Sequence, residues 1–130
     1  MKLPRLIIPS AFIVAAFIVA ASLVFADEEN PIKKAMQYAH KAPQGEKKIG
    51  DKIGEGTATE AEVKATLDAY KAMENCKPAR GEQAAFKEKV AKLIGATEEV
   101  LAKKDGAAAN YKAAVNCKAC HSEHKPGAKK

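Results

Sequence analysis

The sequence has no tryptophan and few other aromatic residues: after the first 26 residues only Tyr38, Tyr70, Phe86 and Tyr111 remain. Alanine accounts for 21 of the 41 hydrophobic residues in positions 27–130. Few large side chains are therefore left to close a hydrophobic core, and small domains are marginally stable to begin with. The chain is thus either weakly folded, or an apolar group that is not an amino acid fills its interior.

Residues 1–26 have the pattern of a secretory signal peptide. Two basic residues near the start precede an uncharged, largely apolar run that ends at Ala26, directly before the acidic Asp27. A basic start, an apolar middle and small residues before the cleavage point are typical of such signals. The alternative is an uncleaved anchor, because residues 6–26 are long enough to cross a bilayer, but Pro9 interrupts this run near its start. We therefore expect export to the periplasm or an equivalent compartment outside the cytoplasm, with no membrane attachment after cleavage.

The remaining composition excludes several classes of protein. Positions 27–130 carry 20 Lys and Arg against 16 Asp and Glu, a net charge of +4 that is spread along the chain. Without a basic block or many aromatic residues, this is not a nucleic-acid-binding pattern. Three cysteines in an exported chain cannot all pair with one another, which excludes a simple disulfide framework. We expect one domain over residues 27–124 and a basic flexible tail over residues 125–130, with His124 at their boundary mobile together with the tail.

The hydrophobic pattern is helical throughout, and no stretch alternates as a half-buried strand would. Asn30 and Pro31 are a cap and first residue for an initial helix, and Thr59 with Glu62 forms a capping box for the next. The predicted helices run from Pro31 to about Gly54 with a break or kink near Pro43 and Gly45, from Glu60 to about Asn75, from before Phe86 to Lys104, and from about Ala107 to Cys120. The sequence therefore predicts an all-α fold.

Four helices joined by short turns favour an antiparallel four-helix bundle. In that arrangement the start of the first helix, the end of the second, the start of the third and the end of the fourth share one end of the bundle. We therefore expect Met36, His40, Cys76 and residues 117–121 to lie at the same end.

Cys117, Cys120 and His121 form the sequence C-x-x-C-H, which is the attachment motif of c-type haem. Two thiols one helical turn apart can add to the vinyl groups as thioethers, and the adjacent imidazole supplies the proximal iron ligand. A zinc site of Cys117, Cys120 and His124 is an alternative, but it lacks a second pair of ligands. A thioredoxin-like redox pair would need a βαβ setting. The motif predicts one covalently attached haem c, which would also supply the missing apolar interior.

Three side chains at that end are candidates for the distal iron ligand, and the position can also be vacant. Cys76 is the leading candidate, because Lys77 and Arg80 flank it and nearby cations favour the thiolate that binds metal. Met36 and His40 are alternatives; Met36 is equally consistent with core packing, and His40 with an exposed position. A thiolate would lower the reduction potential, whereas methionine would raise it. A vacant or displaceable position would admit NO or CO.

The position of the motif on the last helix resembles the class II cytochromes, the cytochrome c prime group and its low-spin relatives. Residues 36–41, 77–82 and 117–122 resemble a family of small exported cytochromes from planctomycete-type bacteria. Cys76 narrows this resemblance to the heterodimeric NaxLS family of anammox metabolism, in which this chain would be the smaller subunit. The resemblance implies one haem per subunit, a His/Cys pair of axial ligands, pairing with a paralogous cytochrome, and a location in the anammoxosome.

These observations predict a non-enzymatic monohaem cytochrome that transfers electrons to a redox partner protein, binds NO or CO at a low-potential haem, or does both. A His/Met-ligated class II electron carrier is the alternative. A haem enzyme of peroxidase or NO-reducing type is a further alternative, in which His40 would be the distal acid/base group. The last alternative is a scaffold protein in which the haem stabilises the fold and which forms a homodimer or a heterodimer.

Overall fold

The computed structural model describes residues 30–127. Within them the chain forms six helices: α1 (Pro31–His40), α2 (Ile49–Glu55), α3 (Glu60–Met73), α4 (Gln83–Leu101), α5 (Ala107–Ala114) and α6 (Cys117–His124). This part of the chain contains no β-strand, so the predicted all-α fold is confirmed. The predicted signal peptide and the last three residues of the predicted tail lie outside the described residues.

The two predicted helix starts are present as hydrogen-bonded caps. The side chain of Asn30 accepts a hydrogen bond from the backbone N–H of Ile32 at 2.9 Å, directly before Pro31 at the start of α1. At the start of α3, Thr59 Oγ1 accepts from the N–H of Glu62 at 3.2 Å, and Glu62 Oε2 accepts from the N–H of Thr59 at 2.8 Å. Caps of this kind stabilise a helix by about 1 kcal/mol each.

The first predicted helix is interrupted rather than kinked. Helix α1 ends at His40, residues 41–48 are non-helical, and α2 begins only at Ile49. Pro43 has no N–H to donate and pushes the residue before it out of the helical region. Gly45 then adopts a φ of +90°, which a right-handed helix cannot contain. The break that Pro43 and Gly45 indicate is therefore present, and the first helix is not a continuous helix with a kink.

The last predicted helix is also two helices. Helix α5 ends at Ala114, and both Val115 (ψ 80°) and Asn116 (ψ 79°) leave the helical region. The side chain of Asn116 then accepts a hydrogen bond from the N–H of Ala119 at 3.0 Å and caps α6. Asparagine is among the preferred residues at this capping position. The C-x-x-C-H motif therefore lies on a short helix of its own, and the prediction of one helix from Ala107 to Cys120 is wrong.

The helices share one hydrophobic core. Helix α3 packs against α1 and α4, α5 packs against α4 and α2, and α6 packs against α4. Ala35 and Ala39 of α1 are completely buried, because their small side chains let α1 lie close to its neighbours. Ala96 and Ala107 are buried as well, and the larger buried core residues are Ile53, Val63, Leu67, Tyr70, Met73, Phe86, Val90 and Tyr111. Among residues 30–127, no helix is long and apolar enough to cross a membrane.

Candidate cofactor site

The C-x-x-C-H motif occupies the first turn and a half of α6. Cys117 and His121 are exposed and Cys120 is half-buried, and both cysteines are free thiols. Their spacing places all three side chains on the same side of the helix. Burial raises the pKa of the Cys120 thiol. Two free thiols and an accessible imidazole therefore stand together on one helical turn.

A buried chain of hydrogen bonds lies near this motif. His40 Nε2 is 2.8 Å from the hydroxyl of Tyr70, which is itself 2.8 Å from the hydroxyl of Tyr111. Both tyrosines are completely buried, and the chain links α1, α3 and α5. The sequence pattern indicates His40 as a candidate site residue, but Tyr70 and Tyr111 only as two of the few aromatic residues. Their hydroxyl groups were the missed signal, because a buried tyrosine hydroxyl usually has a hydrogen-bond partner.

Electrostatic effects connect the His40–Tyr70–Tyr111 chain of hydrogen bonds to the motif. The pKa of His40 is lowered, first by burial and then by the positive charge of Lys48, against a smaller opposing effect of Asp51; His121 lowers it further. Burial is also the main cause of the raised pKa of Tyr70, and the charge of Cys117 raises it as well. His40 is therefore neutral and Tyr70 protonated at pH 7, and both lie within electrostatic range of the motif.

The surroundings of His40 argue against a role as iron ligand. Its Nε2 already pairs with Tyr70, and its other side faces Gly50 at the second position of α2. A Cβ atom on Gly50 would lie 3.1 Å from both Nδ1 and Cε1 of the imidazole. Nε2 would have to give up its contact with Tyr70 in order to bind a metal. The peroxidase hypothesis also relies on His40, as the distal acid/base group beside an open iron position, and it stays a prediction.

Met36 lies one turn before His40 on α1. It is half-buried and packs against the hydrophobic core. These contacts are those of an ordinary core methionine.

Cys76 lies in the turn between α3 and α4 and is half-buried. Its thiol donates to the carbonyl of Ala72 at 3.5 Å. The neighbouring Asn75 is held by α4, since Gln83 donates to its carbonyl at 3.4 Å and Lys87 donates to its side chain at 3.2 Å. A free thiol is thus presented by a turn that is fixed to the start of α4.

His124 is buried, so the prediction that it is mobile with the tail is wrong. Its Nδ1 donates to the carbonyl of Arg80 at 3.0 Å, in the turn that carries Cys76. The ring of Phe86 meets the imidazole edge-on at 5.4 Å, and Lys89 Nζ lies 3.4 Å from its Nε2. The signal in the sequence was the spacing, because His124 is three residues after His121 and seven after Cys117.

Two further observations concern other sites. In the part of the chain that the structure describes, no group of three or more His, Cys, Asp and Glu side chains is arranged to hold a metal ion. A cavity of about 420 Å³ is lined by residues that include Ile53, Val63 and Leu101. It lies between the end of α2, the start of α3, the end of α4 and the start of α5. The motif lies at the opposite ends of α3, α4 and α5, so this cavity is separate from it.

No protein-family model, curated protein or solved structure matches the chain.

Proposed function

We propose that the protein is a monohaem c-type cytochrome that transfers electrons. Cys117 and Cys120 hold the haem through thioether bonds, and His121 is the proximal iron ligand. The observation that carries the proposal is the presence of two free thiols and an accessible imidazole on one turn of α6. When bound, the haem supplies a one-electron Fe(III)/Fe(II) couple.

The residues of the chain fit this cofactor in two respects. Covalent attachment needs unpaired thiols that a porphyrin can reach, and Cys117 is exposed while Cys120 is half-buried. Cys117 at the start of α6 also lies within electrostatic range of Tyr70 and Tyr111, so the motif is close to the hydrophobic core that these tyrosines belong to. In the proposed fold, α1 and α2 together form the first rod of an antiparallel four-helix bundle, and α3, α4 and α5 form the other three. The packing of α3 between α1 and α4, and of α5 against α4 and α2, supports this arrangement.

Cys76 is the distal ligand in this proposal. It is supported by a free thiol in a turn that is fixed to α4, and by the engagement of His40 with Tyr70. A thiolate ligand favours ferric over ferrous iron and lowers the reduction potential relative to methionine. The low-potential cytochrome would exchange electrons with a redox partner protein after export. We also propose that it forms a heterodimer with a paralogous cytochrome, as the resemblance to the NaxLS family implies.

Haem attachment is tested by mass. The full chain is expressed with its signal in a host that matures c-type cytochromes, and we expect a red product heavier than the polypeptide by one haem. The double variant Cys117→Ala, Cys120→Ala has no motif thiol left to bond the haem and should return to the bare polypeptide mass, whereas Cys76→Ala is the matched control and should keep the mass of one haem. A colourless product at the bare polypeptide mass would overturn the proposal.

The distal ligand is tested by the electronic and EPR spectra of the ferric protein. We expect a thiolate signature that is lost in Cys76→Ala and retained in Met36→Leu. Identical spectra of Cys76→Ala and the parent protein would exclude Cys76 as the ligand and leave the haem attachment unaffected.

A further inference from the structure

The end of α6 packs against the turn between α3 and α4. Arg80 and Gly81 of this turn form a close-fitting site for the imidazole of His124, which we call the seat. Only 5% of His124 is exposed, although its neighbours on α6 are exposed or half-buried. The imidazole donates from Nδ1 to the carbonyl of Arg80 at 3.0 Å and packs against the ring of Phe86. The seat therefore joins the helix that carries the motif to the turn that carries Cys76.

Gly81 is the residue that makes room for this seat. Its φ of +76° suits glycine, and a Cβ atom at this position would lie 2.9 Å from Nδ1 of His124. The same Cβ would lie 3.1 Å from the carbonyl oxygen of Glu123. A side chain at position 81 would therefore displace the imidazole or the backbone of α6. The turn and the helix are shaped to each other at this point.

The buried histidine is the main link at this contact. Lys89 and Glu123 also join α4 to α6, with Nζ and Oε2 2.6 Å apart. The Lys89 side chain is 28% and the Glu123 side chain 53% exposed, so solvent screens this pair and its contribution to stability is small. A buried hydrogen-bonded group is different, because removing it leaves its partner without a bond and away from water.

Anchoring His124 fixes the rotation of α6 about its own axis. Residues 117, 120, 121 and 124 repeat at helical spacing and lie on one side of the helix. At its other end α6 is joined to α5 only through the non-helical Val115 and Asn116. The orientation of the motif therefore depends on the contact at position 124.

We propose that His124 is a positioning residue that clamps the motif helix to the Cys76 turn and so sets the relative placement of the two axial ligands, His121 and Cys76. Cys76 lies between two fixed points: Asn75, which α4 holds, and Arg80, which His124 holds. The consequence at the iron rests on the proposed function. The clamp itself is a property of the polypeptide and can be measured without haem.

The first test measures thiol reactivity in the haem-free full chain, in a Cys76→Ala background that leaves only the two motif cysteines. A neutral maleimide should modify Cys120 more slowly than Cys117, because Cys120 is half-buried and its thiol pKa is raised by burial. In His124→Ala the modification of Cys120 should accelerate severalfold. His124→Asn, whose amide can still donate to Arg80, should stay close to the parent rate. Unchanged Cys120 reactivity in His124→Ala, with the helical circular dichroism retained, would overturn the inference.

The second test uses the haem-loaded protein. His124→Ala should shift the ferric EPR spectrum and the reduction potential while the mass of one attached haem is retained, and His124→Asn should restore both toward the parent values. If His124→Ala keeps its haem and has an unchanged spectrum and potential, His124 does not set the relative placement of His121 and Cys76. The cytochrome proposal would then still stand. Absence of the haem mass in the parent protein would instead overturn the proposed function.

A third test changes Gly81, the residue of the turn that lies against His124. Gly81→Ala should lower the midpoint of urea unfolding, and by less when His124 is already alanine, because the clash at Nδ1 is then removed. The backbone strain of alanine at this φ is the same in both backgrounds and cancels in the comparison. Equal shifts in the two backgrounds would contradict the inference.

Discussion

Replacing Tyr70 by phenylalanine removes the central hydroxyl group of the buried hydrogen-bonded chain and leaves the ring in place. That hydroxyl lies 2.8 Å from His40 Nε2 and 2.8 Å from the Tyr111 hydroxyl. Its removal breaks both contacts and leaves two polar groups in the interior without this partner. A net hydrogen bond contributes about 1 kcal/mol, and an unsatisfied buried partner costs about 1–3 kcal/mol. We therefore expect Tyr70→Phe to lower the free energy of unfolding by about 2–4 kcal/mol.

Replacing Tyr111 by phenylalanine is the informative comparison, because Tyr111 stands at the end of the chain. Its loss removes one contact and leaves Tyr70 still paired with His40. We expect Tyr111→Phe to lower the free energy of unfolding by about 1 kcal/mol. Tyr38→Phe is the matched control, since the Tyr38 side chain is exposed and the change there should be close to zero.

The assay is equilibrium unfolding in urea of the haem-loaded protein, with all variants at the same pH and the same m-value. The order of destabilisation should be Tyr70→Phe, then Tyr111→Phe, then Tyr38→Phe. A loss in Tyr111→Phe equal to or greater than that in Tyr70→Phe would refute the chain as described, because an end residue cannot cost more than the residue that bridges both partners.

Three further predictions concern His40, the start of α6 and the distal side of the haem. The pKa of His40 is lowered from 6.5 in the folded state, so the unfolded chain binds more protons when the pH falls below about 6.5. The free energy of unfolding should therefore be highest above about pH 7 and should decrease as the pH drops through 6.5. In urea unfolding measured across this pH range, His40→Gln should lose this pH-dependent decrease. Asn116→Ala removes the cap of α6 and should cost about 1 kcal/mol, with faster amide exchange over residues 117–121, whereas Thr59→Ala should cost a similar amount without affecting α6. Reduction weakens a Cys76–iron bond, so the reduced cytochrome should bind CO or NO with a changed visible spectrum, and an unchanged spectrum would exclude gas binding.

The parts of the fold that the sequence predicted correctly are local. The cap at Asn30 and the capping box at Thr59 each depend on residues at most three positions apart, so their geometry follows from the sequence pattern alone. The two breaks were harder to predict. Pro43 can bend a helix or end it, and only the left-handed Gly45 that follows shows that the helix ends. Asn116 can lie within a helix or cap the next one, and the pattern of apolar residues does not distinguish these states.

The contacts at the candidate site could not be predicted, because they join residues that are far apart in sequence. Tyr70 and Tyr111 are 41 positions apart, and His124 and Arg80 are 44 positions apart. Helical periodicity shows which side of a helix is buried, but it does not show which hydroxyl or imidazole group meets which partner. For the same reason His124, whose burial depends on Gly81 and Arg80, was expected in the tail.

The two histidines outside the motif have opposite consequences for the distal ligand. His40 Nε2 pairs with the hydroxyl of Tyr70, and its imidazole lies close against Gly50, so this nitrogen is committed to the polypeptide. His124 is equally committed, but its partner is the turn that carries Cys76. Both contacts are consistent with the proposal that Cys76, rather than His40, is the distal ligand. The double variant Cys76→Ala, His40→Ala should therefore have the same ferric spectrum as Cys76→Ala alone, and a further spectral change in the double variant would show that His40 leaves its seat to bind the iron.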